Sequence, residues 1–213
     1  MSEAAITLYA IPFSTNVERV ALALGHKRLE AEVVMLDAED RARATAVSGQ
    51  PLVPVLVLDG EVLVDSSSII ERLEQRFPDR PLFPADDARR AEVRLFVDWF
   101  NRIWKGPPNR LDDLLTQSAP DPVEIELLRA ELRGSLNVFE QLLSGREFLA
   151  GDEFSAADCA AFPFLKYGLT GVSSDDVETF HHVLADNLAL RGGYPGVEAW
   201  VRRVDARPRV AGI

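Results

Sequence analysis

The sequence predicts an α/β domain that is followed by an all-helical domain. Over residues 5–83, short runs of β-branched and aromatic residues alternate with amphipathic helical patterns. A segment rich in proline and acidic residues, PDRPLFPADDA (Pro78–Ala88), comes next and is typical of a linker. Beyond it, apolar residues recur only at helical spacing. This change of pattern indicates two domains of different class.

The first domain opens with a strand, a helix and a second strand. The pattern predicts the first strand at Ala5–Ala10, the helix at Asn16–Gly25 and the second strand at Glu30–Leu36. Two strands of one sheet that are joined in this way are parallel, with a right-handed crossover. We therefore expect a parallel strand pair at the start of the chain.

A β-hairpin is predicted next. The runs Val53–Leu58 and Glu61–Val64 are apolar and rich in β-branched residues, and they flank the dipeptide Asp59-Gly60. Asp-Gly favours a tight hairpin turn because glycine adopts a positive φ without strain. The hairpin adds antiparallel strands, so the predicted sheet is small and mixed.

The hairpin is bounded by a proline and by a helix cap. Pro54 cannot donate a hydrogen bond to a neighbouring strand, so it marks either a sheet edge or a kink at the strand entry. At the other end, Asp65-Ser66 can cap the predicted helix Ser66–Phe77. A kinked strand entry beside a capped helix indicates a place where an extended peptide can bind.

The second domain is predicted to contain only helices. Its amphipathic segments are Arg90–Trp104, Pro122–Leu143, Ala156–Tyr167, Asp176–Leu190 and Val197–Asp205. We therefore divide the chain into a first domain at residues 5–83, a linker at 84–89 and a helical domain at 90–210.

Composition argues against several function classes. The 213 residues carry a net charge of −11 and no basic stripe, which argues against nucleic acid binding. No segment approaches the roughly 18 consecutive apolar residues of a membrane span. The N-terminus has no basic residue before Arg19, so a secretory signal is not expected. We expect a cytoplasmic protein that binds neither nucleic acid nor a membrane.

The cysteine and histidine content predicts no metal. The single cysteine, Cys159, excludes an intramolecular disulfide and an all-cysteine metal site. It falls in a predicted core helix, where a free cysteine acts as a small hydrophobe. His26, His181 and His182 lack metal-ligand spacing and partner carboxylates at motif positions, so we expect them to be solvated or to cap helices.

Four motifs are spread over nearly the whole chain. They are Val53-Pro54-Val55-Leu56, like a V-P-x-L strand with a cis proline; Leu63-Val64-Asp65-Ser66, like an acid-serine turn into a helix; Ser155-Ala156-Ala157-Asp158, like a buried capping box; and Tyr194-Pro195, Trp200 and Pro208, like a late Y-P…W…R-P pattern. In this order and spacing they resemble the motifs of the cytosolic glutathione S-transferase superfamily. The resemblance implies a thioredoxin-like first domain that binds glutathione as cosubstrate. It also implies a helical domain contributing the pocket for a small-molecule electrophile, no metal, and a homodimer with a detoxification role.

The resemblance implies that glutathione contacts Val53, Pro54, Asp65 and Ser66. A cis bond before Pro54 would turn the Val53 N–H and C=O outward, where the cysteinyl backbone of the tripeptide can pair with them. The helix N-terminus and the Ser66 hydroxyl suit the γ-glutamyl carboxylate, and the Asp65 carboxylate suits the γ-glutamyl ammonium. Taken alone, Pro54 is an ordinary edge proline and Asp65-Ser66 an ordinary cap.

The catalytic residue that the resemblance implies is Ser14. Pro12, Ser14, Arg19 and Val20 match the pattern P-x-S-x-x-x-x-R-V of the serine-type transferases, which include bacterial members. A thiol of pKa about 8.5 is mostly protonated near neutral pH, and a hydroxyl aimed at the sulfur stabilises the reactive thiolate. Without the resemblance, Ser14 is simply a helix N-cap.

Tyr9 is the alternative catalytic residue. Other classes of the family carry an activating tyrosine at the end of the first strand. The simpler interpretation of Tyr9 is a half-buried strand aromatic. Sequence alone leaves open which of the two residues faces the thiol.

Three function classes also stay open. The first is a glutathione S-transferase that conjugates the thiol to small hydrophobic electrophiles. The second is a glutathione-dependent isomerase or lyase of the same superfamily, although Pro12-Phe13-Ser14 stands where the maleylacetoacetate isomerases carry Ser-Ser-Cys. The third is a non-catalytic interaction module. Arginine outnumbers lysine, which can reflect a GC-rich genome, and some bacteria with such genomes use another low-molecular-weight thiol. Such a thiol in place of glutathione therefore also stays open.

Overall fold

Four short strands form one mixed sheet in the first part of the chain. The computed structural model describes residues 4–213. The elements of this part are β1 (Ile6–Ala10), α1 (Thr15–Lys27), β2 (Glu32–Met35), α2 (Ala42–Ser48), β3 (Val55–Leu58), β4 (Glu61–Val64) and α3 (Ser66–Arg76). The strand order is β2-β1-β3-β4, with β1 and β2 parallel and the other pairs antiparallel. This confirms the predicted parallel pair and the hairpin.

The hairpin turn has the backbone that its sequence predicts. Asp59 and Gly60 both have positive φ, at 50° and 88°, which is the requirement of a turn whose twist matches that of the flanking strands. The Asp59 carboxylate also accepts a hydrogen bond from the Ala5 N–H at 3.0 Å. The turn thereby fixes the register of β3 against β4 and contacts the start of β1.

The sheet buries its two faces unequally. Ile6, Leu8 and Ala10 point to one face of β1 and are fully buried, whereas Thr7 and Tyr9 point to the other and are half-buried. The second face packs against α2. The apolar cluster on this side comprises Ile11, Leu36, Ala44 and Val55, with Tyr9, Val34, Val47 and Val53 at its margin.

Sequence patterns missed α2. The helix has seven residues, its N-cap position is Arg41 without a side-chain cap, and only Ala44 is buried. Such a short, weakly amphipathic segment carries neither the periodicity nor the cap on which helix prediction rests. Its buried Ala44 and partly buried Val47 nevertheless pack against the second face of the sheet.

The described residues fall into two compact units. One consists of the residues up to Phe83 together with Arg207–Ile213, and the other is Pro84–Ala206. The division at 84–89 and 90–210 stays a prediction, to which the contacts add that the last seven residues group with the first unit. We refer to Arg207–Ile213 as the C-terminal strap.

The second unit is helical, as predicted. Its elements are α4 (Asp87–Trp99), a π-helical turn (Phe100–Trp104), α5 (Gly106–Leu115), α6 (Pro122–Leu142), α7 (Ala156–Leu165), α8 (Tyr167–Thr170), α9 (Thr179–Asn187) and α10 (Pro195–Asp205). The sequence did not predict α5, which starts with Gly106-Pro107-Pro108. These residues end most helices, but proline is well tolerated in a first turn, where its missing N–H has no helical partner.

The predicted capping box at the start of α7 is confirmed and reaches further than its own helix. Asp158 Oδ2 accepts hydrogen bonds from the N–H and hydroxyl of Ser155, at 2.9 and 3.0 Å. Its Oδ1 accepts from the Leu149 N–H at 3.0 Å and from the Trp200 indole N–H at 2.8 Å. Burial raises the pKa of Asp158, and these four bonds oppose that rise. One carboxyl therefore joins α7, the loop before it and α10.

Two histidines depart from the prediction that they are solvated or cap helices: His26 is half-buried, and His181 is buried. The Nδ1 of His181 lies 2.7 Å from the Asp176 carboxylate. Its ring stacks on Tyr167 at a centroid distance of 4.6 Å, and the Tyr167 hydroxyl donates to Asp176 at 3.4 Å. The partner carboxylate lies in the loop before α9, where no motif signals it. The pair fixes that loop against α8 and α9.

The C-terminal strap leaves no room for a side chain at Gly25. A Cβ at this position would lie 2.1 Å from the carbonyl oxygen of Pro208, far inside van der Waals contact. We expect Gly25→Ala to lower the free energy of unfolding by about 1–3 kcal/mol, since backbone atoms must move. The matched control is Gly134→Ala on α6, where a Cβ meets nothing within 4 Å. That variant should gain about 0.5–1 kcal/mol.

Urea unfolding followed by circular dichroism measures both glycine variants. A Gly25→Ala protein as stable as Gly134→Ala would contradict the close approach of the strap to α1.

Candidate active site

Ser14 lies in the turn between β1 and α1. It is the N-cap of α1, and its half-buried hydroxyl oxygen accepts a hydrogen bond from the Val17 N–H at 3.3 Å. Its carbonyl accepts from the Glu18 N–H at 3.0 Å. A hydroxyl that accepts one bond still has its own proton to donate. Ser14 is therefore a helix cap whose O–H can also donate to a ligand.

Tyr9 lies inside β1, five residues before Ser14. It pairs with Val34 on β2 and Val55 on β3, and it packs at the margin of the apolar cluster that α2 covers. This position agrees with the interpretation of Tyr9 as a half-buried strand aromatic.

Val53 and Pro54 lie just before β3. The peptide bond between them is cis, as the resemblance implies. Pro54 is buried and Val53 is half-buried, and the register of β3 begins only at Val55. Val53 therefore precedes the paired part of the strand.

Asp65 and Ser66 form the N-terminus of α3. Asp65 is exposed, has a φ of 67° and accepts at Oδ1 from the N–H groups of Ser67 and Ser68, at 3.1 and 2.9 Å. The Ser66 hydroxyl is buried and accepts a hydrogen bond from Arg19 Nη1 at 3.4 Å. A guanidinium only donates, so the proton of the Ser66 hydroxyl is directed elsewhere.

Arg19 matches the serine-type pattern, but the sequence reasoning gave it no role in the site. It lies on α1, only 2% of it is exposed, and it reaches α3 through Ser66. Its positive charge adds to the positive end of the α3 dipole, so the N-terminus of α3 favours an anion. The signal for it was a lone arginine within the apolar run of α1.

The strand register brings the predicted site residues to one end of the sheet. Tyr9 pairs with Val55 and Val55 pairs with Val64, in antiparallel directions. The C-terminal end of β1, the N-terminal end of β3 and the C-terminal end of β4 therefore lie together. These ends lead directly into the predicted residues Ser14, Val53, Pro54, Asp65 and Ser66.

Two family models match the chain. The glutathione S-transferase N-terminal domain matches residues 8–81, and the glutathione S-transferase C-terminal domain matches residues 122–203. The chain belongs to the glutathione S-transferase family. Proteins of this family use glutathione as a substrate.

Individual relatives agree with this assignment. FtsZ-localized protein A of Caulobacter vibrioides is 34% identical over 169 residues, which are 73% of each chain. Glutathione S-transferase 3 of Zea mays is 33% identical over 165 residues, 73% of this chain and 74% of its own. The crystal structure of a glutathione S-transferase from Rhodospirillum rubrum superposes with a TM-score of 0.74 and 30% identity, covering 95% of this chain and 89% of that one.

The described residues, 4–213, contain neither a metal-ligand cluster nor a membrane-spanning helix. Within this range, no group of three or more histidine, cysteine, aspartate or glutamate side chains is arranged to hold a metal ion. No helix in the same range combines the length and the hydrophobicity that a membrane span requires.

The cap at Asp65 gives a stability test. Asp65→Ala removes the acceptor for two N–H groups of α3 and should lower the free energy of unfolding by about 1 kcal/mol. Asp65→Asn keeps an N-cap acceptor and tolerates the positive φ, so its stability should stay close to that of the parent protein. Urea unfolding compares the two. Equal stability of both variants would show that the cap contributes nothing.

Proposed function

We propose that this protein is a glutathione S-transferase that activates the glutathione thiol for attack on small hydrophobic electrophiles. The observation that carries the proposal is the strand register, which gathers the β1–α1 turn, the entry of β3 and the start of α3 at one end of the sheet. Three groups therefore lie within the same region. They are the Ser14 hydroxyl, which suits a thiol, the Val53 backbone, which suits a peptide, and the N-terminus of α3, which suits a carboxylate.

Glutathione binding is proposed to use the last two of these groups. The backbone of Val53, ahead of the β3 register, pairs with the cysteinyl residue as a short added strand. The α3 N-terminus, the Ser66 hydroxyl and the charge of Arg19 bind the γ-glutamyl carboxylate. Asp65 uses Oδ1 as the cap, which leaves Oδ2 for the γ-glutamyl ammonium. Pro54 fixes the chain direction at Val53.

Ser14 is proposed to activate the thiol. Its hydroxyl donates a hydrogen bond to the sulfur, and the positive end of the α1 dipole favours negative charge there. Both effects lower the thiol pKa from about 8.5, and each unit corresponds to 1.36 kcal/mol. The thiol proton leaves to solvent, and the thiolate forms the new S–C bond while the electrophile's leaving group departs with the electron pair of its bond to that carbon. The energetic role of Ser14 is thus stabilisation of the anion.

Partners and location are proposed from family membership. We propose a homodimer that acts in the cytoplasm in detoxification, with no metal. Glutathione is proposed as the thiol in preference to another low-molecular-weight thiol, because the carboxylate and ammonium positions of a γ-glutamyl group have matching residues at α3.

A second candidate function is a non-catalytic interaction module. It is supported by the similarity to FtsZ-localized protein A, whose name describes localisation rather than a reaction. An isomerase or lyase of the same superfamily is the weaker alternative, since Pro12-Phe13-Ser14 stands in place of the Ser-Ser-Cys motif of the maleylacetoacetate isomerases. Turnover of an electrophile separates the transferase from the interaction module.

Replacing the two candidate hydroxyls tests the catalytic assignment. Ser14→Ala should lower turnover of a chromogenic electrophile at least tenfold, about 1.4 kcal/mol in the barrier, with glutathione affinity nearly intact. Ser14→Thr keeps both a hydroxyl and an N-cap, so it should retain much more activity than Ser14→Ala. Tyr9→Phe should behave like the parent protein. An unchanged rate in Ser14→Ala with a large loss in Tyr9→Phe would reverse the assignment.

The glutathione affinities of Asp65→Ala and Asp65→Asn separate the ligand contact of Asp65 from its role as a helix cap. Both Asp65→Ala and Asp65→Asn lose the negative charge, so both should raise the dissociation constant, although only Asp65→Ala loses the cap. The matched control is Asp86→Asn, because Asp86 is the N-cap of α4 and accepts from the Arg89 N–H at 2.9 Å. Calorimetric titration measures all three. Parent-like affinity in Asp65→Asn would rule out the ammonium contact.

A further inference from the structure

The C-terminal strap runs antiparallel along α1. The backbone of the strap passes from the last turn of α1 toward its start, and the long Arg209 side chain reaches further along the helix than the backbone of the next residue, Val210. The contacts are Arg207 with His26, Pro208 with Gly25, Val210 with Ala21 and Arg209 with Glu18. The late R-P pattern of the sequence thereby acquires a physical role, since Pro208 packs on the one α1 residue that has no side chain.

Arg207 binds the strap to the last turn of α1. Arg207 Nη2 lies 2.7 Å from His26 Nδ1 and donates to it. Burial, and next the charge of Arg207, lower the pKa of His26, and Lys27 adds in the same direction, while the carbonyls of Arg80 and Pro81 act against it. The imidazole is therefore neutral near pH 7 and accepts the bond.

Arg209 binds the strap to the first turn of α1. Arg209 Nη2 donates to Glu18 Oε1 at 2.9 Å, and only 17% and 11% of the two side chains are exposed. Arg209 Nη1 donates at 2.9 Å to the carbonyl of Arg207, which fixes its guanidinium. Because solvent screens a shielded, braced pair less than an exposed one, this contact holds its partners more firmly than a surface ion pair.

Glu18 connects this ion pair to the proposed catalytic turn. Its N–H donates to the Ser14 carbonyl at 3.0 Å, closing the first turn of α1. The side chain of Glu18 is held by Arg209 while its backbone holds Ser14. A displacement of Glu18 therefore reaches Ser14 through this hydrogen bond as well as through the three intervening residues of the turn.

We propose that Arg209 is a positioning residue for Ser14, which it holds in place through Glu18. The proposal rests on the proposed function, in which the Ser14 hydroxyl faces the thiol. A catalytic donor has to be held to within about 0.5 Å of its productive geometry. Val210 and Pro208 keep the strap on α1 by backbone contacts, so loss of the Arg209 side chain loosens the first turn without releasing the helix.

The test compares Arg209→Ala with Arg209→Lys and Glu18→Gln. The matched control is Arg202→Ala, which removes an exposed ion pair with Glu198 on α10. Hydrogen–deuterium exchange of the α1 and α3 amides and steady-state kinetics with glutathione are measured for each variant. Arg209→Ala should speed exchange in the first turns of α1 at least tenfold, leave α3 unchanged and lower kcat at least fivefold with little change in KM for glutathione.

The remaining variants distinguish positioning from general stability. Arg209→Lys keeps the charge and should recover part of kcat. Glu18→Gln should reproduce the loss of kcat, and it takes the place of Arg209→Ala if that variant does not fold. The double variant Arg209→Ala/Glu18→Gln should have a kcat no lower than that of Arg209→Ala. Arg202→Ala should match the parent protein in every readout.

Two results would overturn the proposal. One is unchanged exchange in α1, and the other is faster exchange with unchanged kcat, which would make Arg209 a structural residue only. If the parent protein itself has no transferase activity, the proposed function fails and the positioning role fails with it. In that case the exchange data still report whether the strap holds the first turn of α1, so the two failures are distinguishable.

Discussion

The antiparallel register of β1, β3 and β4 is the constraint on which the candidate site depends. Tyr9, Val55 and Val64 are register partners across these three strands. Because antiparallel neighbours reverse direction, three chain segments that are far apart in sequence emerge at the same end of the sheet. A slip by one residue would turn Val55 to the opposite face and take it out of the cluster under α2. The packing of α2 therefore fixes the register, and the register gathers the site.

Local signals in the sequence predicted most of the fold and the helix caps at Ser14 and Asp65 in the candidate site. The turn at Asp59-Gly60, the cap at Asp65 and the capping box of Ser155 and Asp158 each depend on residues close in sequence, and each is present in the structure. Ser14 likewise carries its own cap signal. Features of this kind can be predicted because the interacting groups are only two or three residues apart.

Long-range contacts could not be predicted in the same way. Arg19 and Ser66 are 47 residues apart, and Arg209 and Glu18 are 191 apart. The sequence marks a buried arginine in an apolar helix as unusual, but it does not say which partner the arginine meets. The first part of the strap, Arg207–Val210, was predicted as part of the helical domain, because nothing near Pro208 indicates a return to Gly25. Short elements such as α2 were not predicted for a different reason, since tertiary packing rather than their own sequence stabilises them.

Calorimetric titration shows whether the end of the sheet that leads into Ser14, Val53 and Asp65 binds glutathione. Reduced glutathione and S-hexylglutathione are titrated in parallel into the parent protein. We expect a dissociation constant in the micromolar-to-millimolar range, roughly −8 to −4 kcal/mol, with tighter binding of the hexyl derivative because its chain buries apolar surface. No detectable binding of either ligand would rule out a glutathione site at this end of the sheet and favour another thiol or a non-catalytic role.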